Sequence, residues 1–235
     1  MTRSEVRGLF ITGTGTEVGK TYVAASIVRA LAAAGRRVGV YKPAASGCRL
    51  VEGCLQSDDA IALWEAAGRP GELEQVCPQR FAAPLAPHLA ARAEGREIDA
   101  ALLRSGLDVW TASSEIVVVE GAGGLLSPIT DDEYVADLAL DFGFPLLIVA
   151  ANVLGTIHQT LATLVVAETF REGLEVAGVV LNRPAPEPPD ESCCTNLAEL
   201  RRRCVPPVLA EVGWQDQDSL AAVDWYALAK PQMPK

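Results

Sequence analysis

Gly13-Thr14-Gly15-Thr16-Glu17-Val18-Gly19-Lys20-Thr21 is the stretch that decides the fold of this 235-residue chain. It follows a short apolar run, Arg7-Gly8-Leu9-Phe10-Ile11-Thr12, that reads as a buried strand. It leads into Lys20 to Ala34, where Val23, Ile27 and Leu31 recur at helical spacing before Gly35 stops the pattern. Glycines in such a turn let successive N–H groups face a polyphosphate. The helix start adds the positive end of its dipole. Lys20 can then reach the outer phosphates, and the Thr21 hydroxyl can coordinate magnesium. The usual spacing is not strict here: five residues separate Gly13 from Gly19-Lys20, and three separate Gly15 from it. The same glycines also fit a dinucleotide fingerprint, but that motif wants an acid at the end of the second strand, where this chain has Lys42. It also leaves Lys20-Thr21 without a duty, so the stretch reads as a phosphate loop.

Outward from this loop, strand-like and helix-like segments alternate. Arg37 to Lys42 is a second strand, stopped by Pro43. Ser57 caps a helix to about Ala67, and Asp99 to Ala112 is another, with Leu103, Leu107 and Trp110 on one face. Ile116-Val117-Val118-Val119 is the strongest strand and runs into Glu120-Gly121-Ala122-Gly123-Gly124. Tyr134 to Phe142 reads as helix and Pro145 to Ala151 as strand. Thr156 and Gln159 form a capping-box pattern for a helix to about Glu172. Val176 to Leu181 is a strand ending at Asn182, followed by a proline-rich loop from Pro184 to Asp190. A helix from about Cys194 to Arg203, a strand from Val208 to Val212 and a polar tail complete the chain. Continuously apolar strands belong in a parallel sheet covered on both faces. The expectation is an α/β fold: a doubly wound, mostly parallel sheet in one domain, residues 1–235, of the phosphate-loop NTPase type. Ligands of such sheets sit at the strand tips, here the 13–21 loop, Lys42 to Ser46, Glu120 to Gly124, Asn152 to Thr156, Asn182 and Gly213.

Composition narrows the function. A formal charge of −10 argues against nucleic-acid and anionic-membrane partners. The N-terminus, MTRSEVRGLFITG, turns strand-like too soon for a signal peptide, and no apolar stretch approaches the ~20 residues of a membrane helix. A cytoplasmic location is expected. Six cysteines without a CxxC pair, beside only His88 and His158, read as reduced thiols rather than a zinc site.

Three further residues have the chemistry to complete a phosphate site. Glu120 ends the most apolar strand, where an acid is costly without a charged partner. Asp59 lies in the first turn of the helix capped by Ser57. Magnesium on phosphates takes one or two carboxylates; Glu120 is the candidate, whereas Asp59 by itself reads as an acid at a helix start. Lys42, at the tip of strand two, points into the same crevice as the loop. With Lys20 it would neutralise a transferring phosphoryl group.

These motifs together resemble the dethiobiotin synthetase family. The resemblance rests on Gly-Thr-x-Thr-Glu-Val-Gly-Lys-Thr at 13–21, Tyr-Lys-Pro-x-x-Ser-Gly at 41–47 and Ser-x-Asp-Ala at 57–60. Phe-x-x-Pro-x-x-Pro-His at 81–88 and Val-Glu-Gly-Ala-Gly-Gly at 119–124 extend it. It implies ATP- and Mg2+-dependent closure of a cyclic urea from 7,8-diaminononanoate and CO2, through a carbamate and its phosphorylated form. By that resemblance Lys20 and Lys42 stabilise the carbamate and the moving phosphoryl group, and Thr16 and Ser46 bond substrate or carbamate oxygens. Thr21, Asp59 and Glu120 hold magnesium. Glu17, Val18, Gly19, Lys20, Thr21 and Tyr22 wrap the phosphates, and Gly121, Ala122 and Gly123 line the centre. Asn182, with Arg183 beside it, stands where the family reads the adenine edge, and Gly213, Trp214 and Gln215 where it closes on the base. Gly155-Thr156-Ile157 offers a substrate carboxylate the N–H groups of a helix start, and in the family this segment comes from the partner subunit, which implies a homodimer with shared active sites.

Three positions depart from the family pattern. His158-Gln159 stands where it often has Asn-His, so His158 is either the carboxylate contact or a surface residue. Gly213 replaces a proline, and a glutamate of some members has no counterpart in Asp216 to Ser219. Two alternatives fit the sequence less well. A related ring- or amide-forming ligase such as cobyrinic acid diamide synthase needs a glutamine-hydrolysing domain that this length does not accommodate. A nucleotide-switched partitioning ATPase usually carries a second lysine early in the loop, and Thr12 to Val18 has none.

Overall fold

The first strand and first helix bracket the phosphate loop as expected, and the rest of the chain is arranged around them. The computed structural model describes residues 6–186, 190–216 and 218–231. Strand β1 (Arg7–Gly13), helix α1 (Lys20–Ala33) and strand β2 (Val38–Tyr41) are followed by four short strands: β3 (Ala44–Ala45), β4 (Arg49–Val51), β5 (Cys54–Gln56) and, after helices α2 (Asp58–Ala66) and α3 (Leu73–Val76), β6 (Gln79–Arg80). Helices α4 (Pro87–Ala93), α5 (Ala100–Ser105) and α6 (Asp108–Ser113) lead to the long strand β7 (Ile116–Gly124). Then come α7 (Val135–Phe142), β8 (Leu146–Ala151), α8 (Thr156–Thr169), β9 (Val176–Asn182), α9 (Cys193–Arg203), β10 (Val208–Val212), α10 (Trp225–Leu228) and β11 (Lys230–Pro231).

The main sheet runs β10-β9-β8-β1-β7-β2, with neighbouring strands parallel along this path. It is buried as the continuous apolar runs demand: Leu9, Phe10, Ile11, Val117, Val118, Leu147, Ile148 and Val180 are fully enclosed. The chain leaves β1 through α1 for the β2 side and later leaves β7 through α7 for the β8 side. Winding reverses beside β1, and a crevice opens there at the strand tips. Register sets what meets in it. Tyr41 pairs with Val119 and Ile11 with Glu120. The next residue after Tyr41, Lys42, is therefore delivered beside Glu120.

Four expectations need correction. The helix expected over 99–112 is two, α5 and α6. The Tyr41 hydroxyl donates to the carbonyls of Leu102 (3.2 Å) and Leu103 (2.9 Å), and Leu107 N turns to Arg104 O instead. A side chain at Gly106 would strike that hydroxyl at 2.3 Å. The Thr156–Gln159 capping box does not form: Gly155, at φ 94, is the N-cap, and Thr156 is the first helical residue with its hydroxyl buried. That helix ends at Thr169 rather than near Glu172. The tail is not merely polar. Trp225 is buried, with its indole N–H on Leu220 O at 2.8 Å, and β11 pairs antiparallel with the start of β1. The proline-rich loop is described only in part, since 187–189 lie outside the described residues. Among the described residues no helix is long and apolar enough to cross a membrane.

Candidate phosphate and carboxylate-lysine site

The loop between β1 and α1 wraps back on itself. Glu17 takes a left-handed conformation at φ 58 and Gly19 one at φ 85. A side chain at Gly19 would meet the Asn182 amide nitrogen at 2.1 Å, so this position is closed to any other residue. Asn182 braces the loop from behind, its Nδ2 donating to Val18 O at 2.9 Å. Backbone bent this tightly at the N-terminus of a fourteen-residue helix has a shape that suits an anion.

Lys20 begins α1 and is buried, its Nζ donating to Gly15 O at 2.8 Å, which uses one of its three donors. Burial lowers its pKa below the ordinary lysine value of 10.5; Glu120 pulls it back up, Lys42 pushes it down and Asp59 again raises it. A bound phosphate favours the ammonium, so binding takes up a proton above the free protein's pKa. Triphosphate affinity is therefore expected to weaken with rising pH before about 10.5 is reached. Titrating a fluorescent triphosphate analogue from about pH 7 upward, with folding monitored in parallel, checks this. A flat profile would detach Lys20 from the phosphates.

Across the crevice, Lys42 Nζ lies 2.6 Å from Glu120 Oε1 and 2.7 Å from Asp59 Oδ2. Both Lys42 and Glu120 are buried. Burial by itself would lower Lys42, but Glu120 and Asp59 outweigh it and hold the ammonium well above the usual lysine range. Asp59 shows the same balance from the other side. Burial opposes its charge, yet Lys42, with help from Thr21, keeps its carboxyl below the ordinary range. Thr21 Oγ1 donates to Glu120 Oε1 at 2.9 Å. Glu120 Oε2 is buried with no partner among the described residues. Hydroxyl, carboxylate and an unsatisfied carboxylate oxygen form a hard-oxygen donor set that suits magnesium. Among the described residues no cluster of three or more His, Cys, Asp or Glu could hold a metal alone. Magnesium on a nucleotide needs no such cluster, because phosphates and water fill its other positions.

A cavity of about 720 Å³ joins these groups. Thr16, Glu17, Gly19, Lys20, Thr21, Lys42, Ser46, Asp59, Glu120, Ala122 and Gly123 all line it. Val18, Tyr22, Gly121, Asn182, Arg183, Gly213, Trp214 and Gln215 do not. Val18 is buried behind the loop, and Gly121 is backed by Phe10 and Val135, where a side chain would meet them at 3.0 and 2.8 Å. Asn182 and Arg183 lie at the tip of β9 and 213–215 just beyond β10, separated from β1 by β8. Arg183 N donates to Val212 O at 2.9 Å, which ties these two tips together.

The lining also includes residues that sequence reasoning did not assign. Ser127 accepts from Gly124 N at 2.9 Å and shapes the glycine turn after β7. Pro84, Leu85, Ala86 and Pro87 form a wall. The Phe81 to His88 pattern marked that wall without giving it a role, because proline and leucine carry no chemistry to search for. His158 and Gln159 are exposed and line a second cavity of about 490 Å³ with Gly13 to Gly15 and Leu125 to Pro128. The six cysteines are free thiols.

A family model described as an AAA domain matches residues 7–219. The protein is 46% identical over 214 residues to the ATP-dependent dethiobiotin synthetase BioD of Rhodopirellula baltica, covering 86% of this chain and 82% of that one. It is 49% identical over 210 residues to the enzyme of that name from Anaeromyxobacter dehalogenans, covering 89% and 91%. The corresponding protein of Aromatoleum aromaticum is 38% identical over 211 residues, covering 89% and 91%. Among solved structures, a putative plasmid partition protein of Borrelia burgdorferi bound to AMPPNP superposes with a TM-score of 0.57 at 12% identity, covering 94% and 92%. A ParA family ATPase of Chlorobium tepidum gives 0.54 at 15% identity, covering 92% and 88%. At such identities these two establish the fold alone.

Proposed function

This chain belongs to the dethiobiotin synthetase family, and from that premise we infer how its own residues carry out ATP-dependent formation of dethiobiotin. One amine of 7,8-diaminononanoate adds to CO2 and loses a proton, giving a carbamate. The carbamate oxygen takes the γ-phosphoryl group of ATP, and ADP leaves. The second amine attacks the carbonyl, the urea ring closes and phosphate departs.

The observation that carries this reading is Lys42, fixed between Glu120 at 2.6 Å and Asp59 at 2.7 Å in the same cavity as Lys20. A carbamate and a transferring phosphoryl group are both anions, and two ammonium groups on either side of their shared oxygen stabilise the charge as it moves. Lys42 cannot wander, because two carboxylates hold it. Thr16 and Ser46 line the same space and supply hydroxyls to carbamate or substrate oxygens. The wall from Pro84 to Pro87 borders one side of this space and reduces access of water, to which a carbonic-phosphoric anhydride is vulnerable.

Glu17, Gly19, Lys20 and Thr21 hold the phosphates, with Ala122 and Gly123 beside them. Thr21, Asp59 and Glu120 would hold magnesium, which when bound neutralises phosphate charge. Asn182 suits the adenine edge: its Nδ2 is spent on Val18 O, so its buried Oδ1, without a partner among the described residues, is an acceptor for an exocyclic amino group. Arg183 and Gly213 to Gln215 complete the base end. The chain acts as a single nucleotide-binding domain in the cytoplasm. It works as a homodimer in which the Gly155–Ile157 segment serves the partner's site. Exposed Leu126 at the second cavity, with exposed Leu154 and Val165 before and on α8, supports such a face.

Incubation with 7,8-diaminononanoate, bicarbonate and each nucleoside triphosphate tests this directly. Cyclic urea and phosphate are expected in equal amounts, with ATP preferred. Phosphate release indifferent to the diamine would refute the ligase reading.

A further inference from the structure

A buried amide pair holds the turn between β8 and α8. Asn152, at the tip of β8, has every polar group engaged. Its N–H donates to Asn182 O at 2.7 Å and its Nδ2 to Glu211 Oε1 at 2.9 Å. Its Oδ1 accepts from Asn196 Nδ2 at 2.9 Å, and its carbonyl accepts from the Cys193 thiol at 2.9 Å. Asn196 lies within α9 and also reaches Val153 O at 3.3 Å and Ser192 Oγ at 3.2 Å. Asp190 accepts from Leu154 N at 3.2 Å. Both asparagines are buried.

Filling space does not explain this pair. Asparagine is a poor interior helix residue and costly to bury, and leucine would fill a helix–strand gap better. What an amide pair adds is orientation. With Asn152 Oδ1 turned to Asn196, its Nδ2 must face Glu211, and the 153–155 turn is pinned to α9 and β10 together. The left-handed Gly155 and the first turn of α8 come directly after that anchor in the chain. The N–H of the same Asn152 holds the backbone of Asn182, whose side chain braces the phosphate loop.

We propose that Asn196 and Asn152 are positioning residues for 7,8-diaminononanoate: they set the turn that presents the N–H groups of Gly155 to Ile157 to the substrate carboxylate. This rests on the reading of that segment given under Proposed function. Asn196→Asp is the sharpest test, because it keeps the volume but turns a carboxylate oxygen toward Asn152 Oδ1 and Val153 O. The KM for the diamine is expected to rise roughly tenfold, with kcat and the KM for ATP each within about twofold. Glu211 is exposed, so Glu211→Ala should fold normally and shift the diamine KM in the same direction by less. Glu211→Gln keeps an acceptor for Asn152 and should restore the wild-type value.

Hydrogen exchange at the amides of Leu154 and Thr156, measured without substrates, should quicken in Asn196→Asp and Glu211→Ala and not in Glu211→Gln. Unchanged exchange, or an equal decline of all kinetic constants alongside melting temperature, overturns the proposal. A wild-type protein that makes no cyclic urea overturns the ligase reading instead, and the exchange pattern still judges the anchor.

Discussion

Replacing Lys42 with alanine is expected to reduce ring closure by at least about a thousandfold while nucleotide binding stays largely intact. In the proposed site the loop and Lys20 hold the nucleotide on the other side of the crevice, whereas Lys42 makes its contacts with Glu120 and Asp59. Its loss therefore falls on the acceptor and the phosphoryl group in flight. Stability also falls, because a fully buried carboxylate loses its counter-ion. Removing one partner of a buried pair costs about 3–5 kcal/mol. Lys42→Met separates the two effects, as it refills the volume without the charge. Both variants should lose turnover alike, with Met the more stable. Dethiobiotin formation, titration with a fluorescent ATP analogue and thermal melting give the three readouts. Undiminished turnover in either variant removes Lys42 from the reaction.

The fold was legible where local pattern and buried sheet agree. The apolar run Pro145 to Ala151 fixes its strand within a residue, because a strand covered on both faces has no polar positions to blur its ends, whereas Ile116 to Val119 marks only the start of β7, which continues through Glu120 and the glycines to Gly124. Strand order was not legible. Nothing local says that β7, reached after some seventy residues of chain, slips between β1 and β2. Tertiary contacts also override local pattern. A helix face of Leu103, Leu107 and Trp110 reads as continuous, and only the Tyr41 hydroxyl, arriving from β2, breaks it. Thr156 followed by Gln159 imitates a capping box, yet the glycine before it makes the turn.

The site was legible where chemistry and position coincide. An acid closing an apolar strand must be paired, and Lys42 is the pair that register supplies. Asp59 was readable as more than a helix-dipole acid only through the resemblance, and the structure shows it holding the outer side of Lys42. Asn196 was invisible. Its value lies in an orientation that requires α9 to cross the tip of β8, and no spacing along the chain records that approach.

Glu120→Gln is the second large effect expected, and it isolates charge from shape. Glu120 Oε1 accepts from both Thr21 and Lys42, whereas Oε2 is buried without a partner among the described residues. A glutamine satisfies the first two bonds only with its carbonyl oxygen in the place of Oε1. Its NH2 then occupies the position of Oε2 and turns donors toward the place proposed for a cation. The variant should fold, because Lys42 keeps an acceptor and Asp59. Its nucleotide affinity in magnesium should nevertheless fall about 10- to 100-fold, to the value measured with a chelator present. Turnover should drop by about a hundredfold or more. The decisive measurement is the ratio of nucleotide affinity with and without magnesium: large in the wild type and near one in the variant. If the ratio survives the substitution, the cation is held elsewhere. Glu120 would then serve only to fix Lys42, and the variant's loss of turnover would resemble a milder form of Lys42→Met.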